Sequence, residues 1–186
     1  MNEISNEKES LNEQPERKTN YIERFLLIGQ LHISIEPTCV WTVLGSCVSV
    51  VLYCPRKKIS AICHSQLAEK KEYNHKCSDT CPAPCHKAPV DSEFRYVTCA
   101  VGYMMERFLS MGISKNEIKA SIYGGSNMLP NIPYDIGGEN ILVAYKMLSK
   151  YGVKVVKHDT GGKKGRTINH YSDTGITIVK NHRDRV

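Results

Sequence analysis

Two short apolar runs separated by a basic turn make the clearest pattern in the first half of the chain. Residues 48–53 and 59–63 are rich in β-branched and apolar side chains, and residues 54–58 between them have the composition of a turn. The pattern predicts a β-hairpin. One face of this hairpin is wholly apolar, and Cys47 lies directly opposite His64 at its open end.

The register of this hairpin depends on the turn. With Pro55 and Arg56 at its centre, the apolar side chains of both strands share one face. A slip of one residue would put Cys47 and His64 on opposite faces and would bury two serines. We therefore favour the first register, which brings the thiol and the imidazole together.

Two later segments have the i, i+3, i+4 spacing of amphipathic helices. The first predicted helix covers residues 95–111 and ends before Gly112. The second begins near Gly138 or Glu139 and stops at Gly152. Short apolar segments predict the remaining strands, at residues 25–28, 31–35, 39–44, 118–123, 153–157, 167–171 and 176–180. The order helix, glycine, strand, double glycine occurs twice, which indicates a repeated supersecondary unit.

Composition predicts a single domain over residues 21–180. Residues 1–20 have almost no large apolar side chains and are expected to form a disordered tail, and residues 181–186 are expected to fray. A hydrophobic fraction of 41% and a charged fraction of 24% are ordinary for a globular protein. No apolar run approaches the roughly 20 residues of a membrane span, and the N-terminus lacks a secretory signal.

Cysteine content and charge indicate the cellular compartment and the kind of partner. Eight cysteines in a chain without an export signal indicate a reducing compartment, so we expect a cytoplasmic protein. The net charge of +6 is spread thinly and is not interleaved with aromatic residues, which argues against a nucleic-acid interface.

Residues 68–93 form a polar, proline-containing insertion that is rich in cysteine and histidine. Its five soft ligands are Cys77, Cys81, Cys85, His75 and His86. That number is enough for a structural zinc site, although the spacing matches none of the usual Cys-x2-Cys pairings. A metal site and a reduced or redox-active loop both remain open from the sequence.

The pairing of Cys47 with His64 suits nucleophilic cysteine chemistry. A thiolate is the nucleophile, and a nearby imidazole accepts its proton and lowers its pKa. Gly45 permits a tight backbone approach, and the amide of Cys47 is then available to hold an oxyanion. The alternative is that Cys47 is simply a small buried side chain, as free cysteines often are.

Several segments together resemble the chemoreceptor glutamine deamidase family, CheD. The resemblance covers about residues 21–180. It rests on residues 44–50, on His64 seventeen positions after Cys47, and on four later segments: residues 123–128, residues 136–137 with Asn140, residues 159–162, and residues 165–166.

The resemblance implies an α+β domain with a β-sandwich-like core flanked by helices. It implies hydrolysis of glutamine side-chain amides on methyl-accepting chemotaxis receptors, with Cys47 as nucleophile, His64 as acid and base, and no required cofactor. It also implies a partner, the phosphatase CheC, bound through residues 124–128. The double glycines fit tight turns around a site better than a phosphate-binding loop.

The sequence departs from the family pattern in three places. The third active-site residue is a threonine shortly before the cysteine, which we assign to Thr42, although Trp41 occupies the more usual position. Glu139 stands where the family has arginine. The insertion at residues 68–93 is longer than expected. These departures leave a non-catalytic chemotaxis adaptor as the alternative function, and a thiol or metal sensor as a third.

Overall fold

The computed structural model describes residues 20–69, 93–127 and 134–182, and all that follows concerns these residues. Along them, five strands come first, a helix, a strand and a second helix follow, and three strands come last. The helices are α1 (Val97–Ser110) and α2 (Ile136–Lys150). The strands are β1 (Ile22–Phe25), β2 (Leu31–Ser34), β3 (Thr38–Leu44), β4 (Val48–Cys54), β5 (Ile59–Cys63), β6 (Lys119–Gly124), β7 (Val155–Thr160), β8 (Arg166–Tyr171) and β9 (Ile176–Asn181).

The strands form two mixed sheets. Sheet A has the order β1-β3-β8-β9, and sheet B has the order β2-β5-β4-β6-β7. One cluster of buried side chains, including Val40, Val51 and Ile168, fills the space between the sheets. A second and larger cluster lies between sheet B and the two helices. The fold is therefore α+β with a β-sandwich-like core flanked by helices, as predicted.

The hairpin of β4 and β5 forms, but its predicted register is wrong by two residues. Leu52 pairs with Ala61 and Cys54 with Ile59, so four residues, 55–58, form the loop instead of two. The last of these is Lys58, whose φ of 54° lies in the left-handed region. Four-residue loops of this kind are common, but a lysine in that conformation has no signal in the sequence.

A shift of two residues leaves every side chain on its predicted face. Cys47 and His64 therefore still share a face, but they are diagonal neighbours and not directly opposed. Both faces of the hairpin are buried, one under the helices and one under sheet A. Ser49 and Ser60 are consequently buried as well, and their burial does not discriminate between registers.

The helix–strand units predicted to repeat do lie side by side. The strand that follows α1, β6, is parallel to the strand that follows α2, β7. Each helix is followed by a glycine in the left-handed region, Gly112 with a φ of 68° and Gly152 with a φ of 69°. Helix α2 begins slightly earlier than predicted because Asp135 caps it, accepting a hydrogen bond from the Gly138 N–H at 2.9 Å.

Some predictions fall outside the described residues. These are the tail at residues 1–20 and nearly all of the insertion at residues 68–93, which includes its five candidate ligands. Most of the C-terminal residues 181–186 also fall outside. Within the described ranges, neither helix has the length and apolar character needed to cross a membrane.

Candidate active site

His64 is held by a hydrogen bond that crosses from one sheet to the other. It follows β5 in sheet B and is 4% exposed. Its Nδ1 lies 2.7 Å from the Oγ1 of Thr42, which projects inward from β3 in sheet A. The backbone carbonyl of Leu26, after β1, lies 2.7 Å from the same Oγ1 and 3.3 Å from Nδ1.

These contacts fix the tautomer of His64. The Leu26 carbonyl can only accept, so the Thr42 hydroxyl donates to it and offers a lone pair to Nδ1. Nδ1 therefore carries the proton. Nε2 is left as an unprotonated acceptor, and it is buried without a hydrogen-bond partner among the described residues. A neutral imidazole with a free Nε2 is what a general base requires.

Cys47 lies at a tight corner between β3 and β4, and it is 9% exposed. Three successive carbonyls of this corner accept hydrogen bonds. The Gly45 carbonyl accepts from the Ser126 N–H at 2.8 Å, and the Cys47 carbonyl accepts from the Gly125 N–H at 2.7 Å. The carbonyl between them, that of Ser46, accepts from the side-chain amide of Asn140 at 2.9 Å. Hydrogen bonds thus join the backbone around Cys47 to the residues after β6 and to α2.

The glycines after β6 allow this close approach. Gly124 and Gly125 have φ values of 97° and 70°, which other residues rarely adopt. A Cβ on Gly124 would collide with the Cys47 carbonyl oxygen. These glycines pack against the corner of the site, in line with the sequence-based interpretation of tight turns.

Burial sets the protonation state of both groups. Desolvation raises the pKa of the Cys47 thiol, and its own main-chain N–H opposes this only in part. Desolvation lowers the pKa of His64, with the Leu26 carbonyl acting in the opposite direction. At neutral pH both groups are therefore uncharged. Desolvation of Cys47 therefore opposes the lowering of the thiol pKa that the sequence analysis expects from a neighbouring imidazole.

The structure places all three predicted site residues at one end of the sandwich. Cys47 and His64 share a face of the hairpin, and Thr42 contacts His64 directly. Trp41 points to the other side of sheet A, where its ring packs on Phe25 with centroids 4.3 Å apart. The alternation of β3 explains why Thr42, and not its neighbour, reaches the imidazole.

Sequence reasoning assigned no site role to the side chain of Asn140 or to the carbonyl of Leu26. A backbone carbonyl leaves no trace in the residue types. Asn140 does have a signal in the sequence. It stands four positions before Ala144, so a polar side chain lies on the buried face of α2. Glu139, beside it in the first turn, is only partly buried.

The buried side chain of Arg166 holds the loop that contains Gly161 and Gly162 next to the site. Arg166 is 3% exposed and donates to the Asp159 carboxylate, to the Gly161 carbonyl and, at 3.0 Å, to the Ser126 hydroxyl. The Gly161 N–H donates to the Gly124 carbonyl at 2.9 Å. This network holds the loop after β7 beside the residues that contact Cys47.

No group of three or more histidine, cysteine or acidic side chains suited to a metal ion occurs among the described residues. The five candidate ligands of the insertion lie outside them. The prediction of a metal in that segment therefore stays a prediction.

Comparison with known proteins places the chain among characterised families. Residues 82–181, more than half of the chain, match the family described as CheD chemotactic sensory transduction. This match contains α1 to β9 and does not contain Cys47 or His64.

Curated relatives extend the likeness over most of the chain. A protein of Geobacter sulfurreducens named probable chemoreceptor glutamine deamidase CheD 2 is 33% identical, covering 84% of this chain and 88% of its own. A Maridesulfovibrio salexigens protein named probable chemoreceptor glutamine deamidase CheD is 31% identical over 89% of this chain and 95% of its own. The chemoreceptor glutamine deamidase CheD of Thermotoga maritima is 27% identical over 86% and 92%.

Proposed function

This chain belongs to the CheD family, and on that premise we propose that it hydrolyses glutamine side-chain amides of methyl-accepting chemotaxis receptors through a thioester on Cys47. The relatives carry the name of this deamidase activity. The observation that carries the mechanism is the hydrogen bond from His64 Nδ1 to Thr42, because it leaves Nε2 free to act as a base.

In the first half of the reaction the amide is exchanged for a thioester. Nε2 of His64 takes the thiol proton as the Cys47 sulfur attacks the carboxamide carbon, which gives a tetrahedral oxyanion. The main-chain N–H of Cys47 donates to that oxyanion. The imidazolium then protonates the leaving nitrogen, the C–N bond breaks, and ammonia departs.

In the second half, water cleaves the thioester. The now neutral His64 takes a proton from water as the water oxygen attacks the carbonyl carbon. The C–S bond breaks and the thiolate regains the proton from His64. Thr42 stabilises the imidazolium at both stages, since its hydroxyl accepts from Nδ1. The products are a glutamate side chain and the free thiol of Cys47.

The protonation states give this mechanism a defined pH dependence. The depressed pKa of His64 keeps the imidazole neutral, and therefore basic, somewhat below its usual titration range. The raised pKa of Cys47 keeps the thiol protonated in the resting enzyme, so that each turnover includes transfer of this proton to His64. We expect kcat/KM to rise with pH along a limb whose midpoint lies below 6.5.

The proposal places the protein in the cytoplasm with the cytoplasmic helices of the receptors as substrate. A CheC-type phosphatase remains a proposed partner. Gly124, Gly125 and Ser126, which the resemblance implied as its contact, are buried. A partner would therefore need to bind elsewhere or through the residues that follow.

Ammonia release from a purified receptor cytoplasmic fragment tests the proposal, with mass spectrometry of the roughly +1 Da change from glutamine to glutamate. Wild type and Cys39→Ala are expected to release ammonia, whereas Cys47→Ala is not. Cys39 is the matched control because it is also a free, buried cysteine and lies at the far end of β3.

Two results would contradict the proposal. Equal release by Cys47→Ala would exclude Cys47 as nucleophile. Tight binding of the fragment without release by wild type would favour the non-catalytic adaptor.

A further inference from the structure

We infer that Asn140 is a positioning residue of this site: its side-chain amide aims the Cys47 N–H at the oxyanion and ties that peptide to the strand end that carries His64. The inference rests on the proposed function and adds a residue to it. Asn140 does not touch the reacting groups itself, and it acts through the backbone on either side of them.

Asn140 makes two hydrogen bonds through one nitrogen. It is fully buried in α2, and its Nδ2 donates to the carbonyls of Ser46 and Gln66, each at 2.9 Å. Both partners are acceptors only, so the amide nitrogen and not the amide oxygen must face them. The orientation of this side chain is thereby defined.

The first of these bonds fixes a peptide plane. In the trans peptide between Ser46 and Cys47, the carbonyl and the N–H point in opposite directions. Holding the Ser46 carbonyl toward α2 therefore turns the Cys47 N–H away from α2 and toward its own sulfur. Main-chain donors hold the carbonyls on either side. Among the described residues, Asn140 is the one side chain that donates to this corner.

The second bond links the corner to His64. The last backbone rung between the two hairpin arms joins Val48 to Ser65, with hydrogen bonds of 2.9 Å in both directions. Beyond this pair, Asn140 joins the two arms from outside the sheet. It donates to the carbonyl of Ser46, the residue before Cys47, and to the carbonyl of Gln66, two residues after His64. One amide thus bridges the segment that carries Cys47 and the segment that carries His64.

The other polar atom of this side chain makes no contact that could confuse a test. Asn140 Oδ1 is buried and has no hydrogen-bond partner among the described residues. Variants that lose the Nδ2 donors therefore report on the bonds to Ser46 and Gln66.

Asn140→Leu and Asn140→Asp test the inference, because both keep the branching of the side chain at Cγ and remove the amide nitrogen that donates to Ser46 and Gln66. We expect kcat on the receptor fragment to fall about 100-fold, the penalty of a slightly misplaced reactive group, with KM changed by less than about two-fold. Alkylation of Cys47, followed by peptide mass, should shift to higher pH in both variants, since the N–H no longer faces the sulfur.

Ser172→Ala is the matched control. Ser172 is fully buried and also joins two chain segments, accepting from the Thr38 N–H at 2.8 Å and donating to the Glu36 carbonyl at 3.0 Å, but it lies at the other end of β3. It should lose stability without losing kcat or changing the alkylation profile. An equal loss of kcat in this control would show that the loss in the Asn140 variants reflects a structural role and not a positioning role.

Normal kcat and normal alkylation in a folded Asn140 variant would overturn the inference. If Asn140→Leu does not fold, Asn140→Asp is measured in its place. Failure of the proposed function is distinguishable, because wild type would then release no ammonia. The shift in Cys47 alkylation between wild type and variant would still decide the role of Asn140.

Discussion

A single oxygen atom of Thr42 makes both hydrogen bonds that connect this residue to Leu26 and His64. Its Oγ1 donates to the Leu26 carbonyl and accepts from His64 Nδ1, both at 2.7 Å. Because its proton is used in the bond to the Leu26 carbonyl, the hydroxyl can act only as an acceptor toward the imidazole. In the proposed mechanism, a threonine has the role that a carboxylate or amide has in other cysteine and serine hydrolases, but without adding a charge to the sandwich interior.

Replacing Thr42 with valine removes this oxygen and keeps the shape of the side chain. The imidazole then has only the Leu26 carbonyl, at 3.3 Å, to hold its Nδ1 proton. We expect kcat to fall about 10- to 100-fold, with a loss of about 1–2 kcal/mol in the free energy of unfolding. Steady-state deamidation and urea unfolding measure the two effects.

Thr38→Val is the control for this change. Thr38 is a buried threonine on the same strand whose hydroxyl donates to the Glu36 carbonyl at 2.9 Å, far from His64. It should lose stability and keep kcat, and Thr42→Ser should keep both. Full activity in Thr42→Val would show that the Thr42 hydroxyl has no role in the reaction.

At the scale of elements, the first turn of α2 determines where Asn140 lies. Gly137 is in that turn, and its backbone packs directly on the backbone of Gly125 and Ser126. Glycine is required here because the helix approaches the end of β6 with no room for a side chain between them.

Two helical glycines with opposite surroundings make a matched pair for testing this contact. In Gly137→Ala the new Cβ would overlap the Gly125 carbonyl, so we expect a loss of about 1–3 kcal/mol in unfolding free energy and a fall in kcat. In Gly102→Ala the nearest atom is the Tyr151 hydroxyl at 3.6 Å, an ordinary contact.

The control should become more stable by about 0.5–1 kcal/mol, as alanine is the better helix former. Denaturant unfolding of the two variants measures both changes. Loss of stability in Gly102→Ala, or none in Gly137→Ala, would show that the close packing of α2 on β6 is not what requires glycine.

The elements also show how far sequence reasoning reaches. Periodicity predicted α1, α2 and the hairpin, since each follows a spacing that only one secondary structure satisfies. The hairpin register was missed because it depended on the backbone of Lys58, and lysine has no preference for the left-handed region. The shared face of Cys47 and His64 was still predicted, because a shift of two residues preserves it.

The candidate site divides in the same way. Residue types and alternation predicted Cys47 and His64 as a pair, and the family resemblance implied Thr42 as the third side chain. They did not predict that desolvation raises the pKa of the thiol, because burial depends on sheet A covering the hairpin. Nor did they predict the contact of Thr42 with His64, which joins strands of two different sheets.

For the whole molecule, buried histidine makes stability depend on pH. His170, on β8, is fully buried, and desolvation lowers its pKa to about 4. The unfolded chain binds this proton near pH 6.5, so stability is present above pH 6.5 and is lost as pH falls toward 4. The full loss from this group is about 3 kcal/mol, and the lowered pKa of His64 adds in the same direction.

His170→Asn tests this account by urea unfolding between pH 7.5 and 4. Its slope of unfolding free energy against pH should be smaller than that of wild type over the acid half of this range. Replacement of His158, which is exposed on β7, serves as the comparison. Identical slopes for wild type and His170→Asn would refute the assignment.

The hydrogen bond between the two sheets has a consequence for biosynthesis. Thr42 lies on β3, whose neighbour β8 and the adjoining β9 are made from residues 166–181, near the end of the chain. A ribosome therefore completes Cys47 and His64 long before the nascent chain can bring Thr42 to the imidazole. We expect translation intermediates that lack β8 and β9 to be inactive, so that deamidation of a receptor begins only after these two strands have been synthesised and have paired with β3.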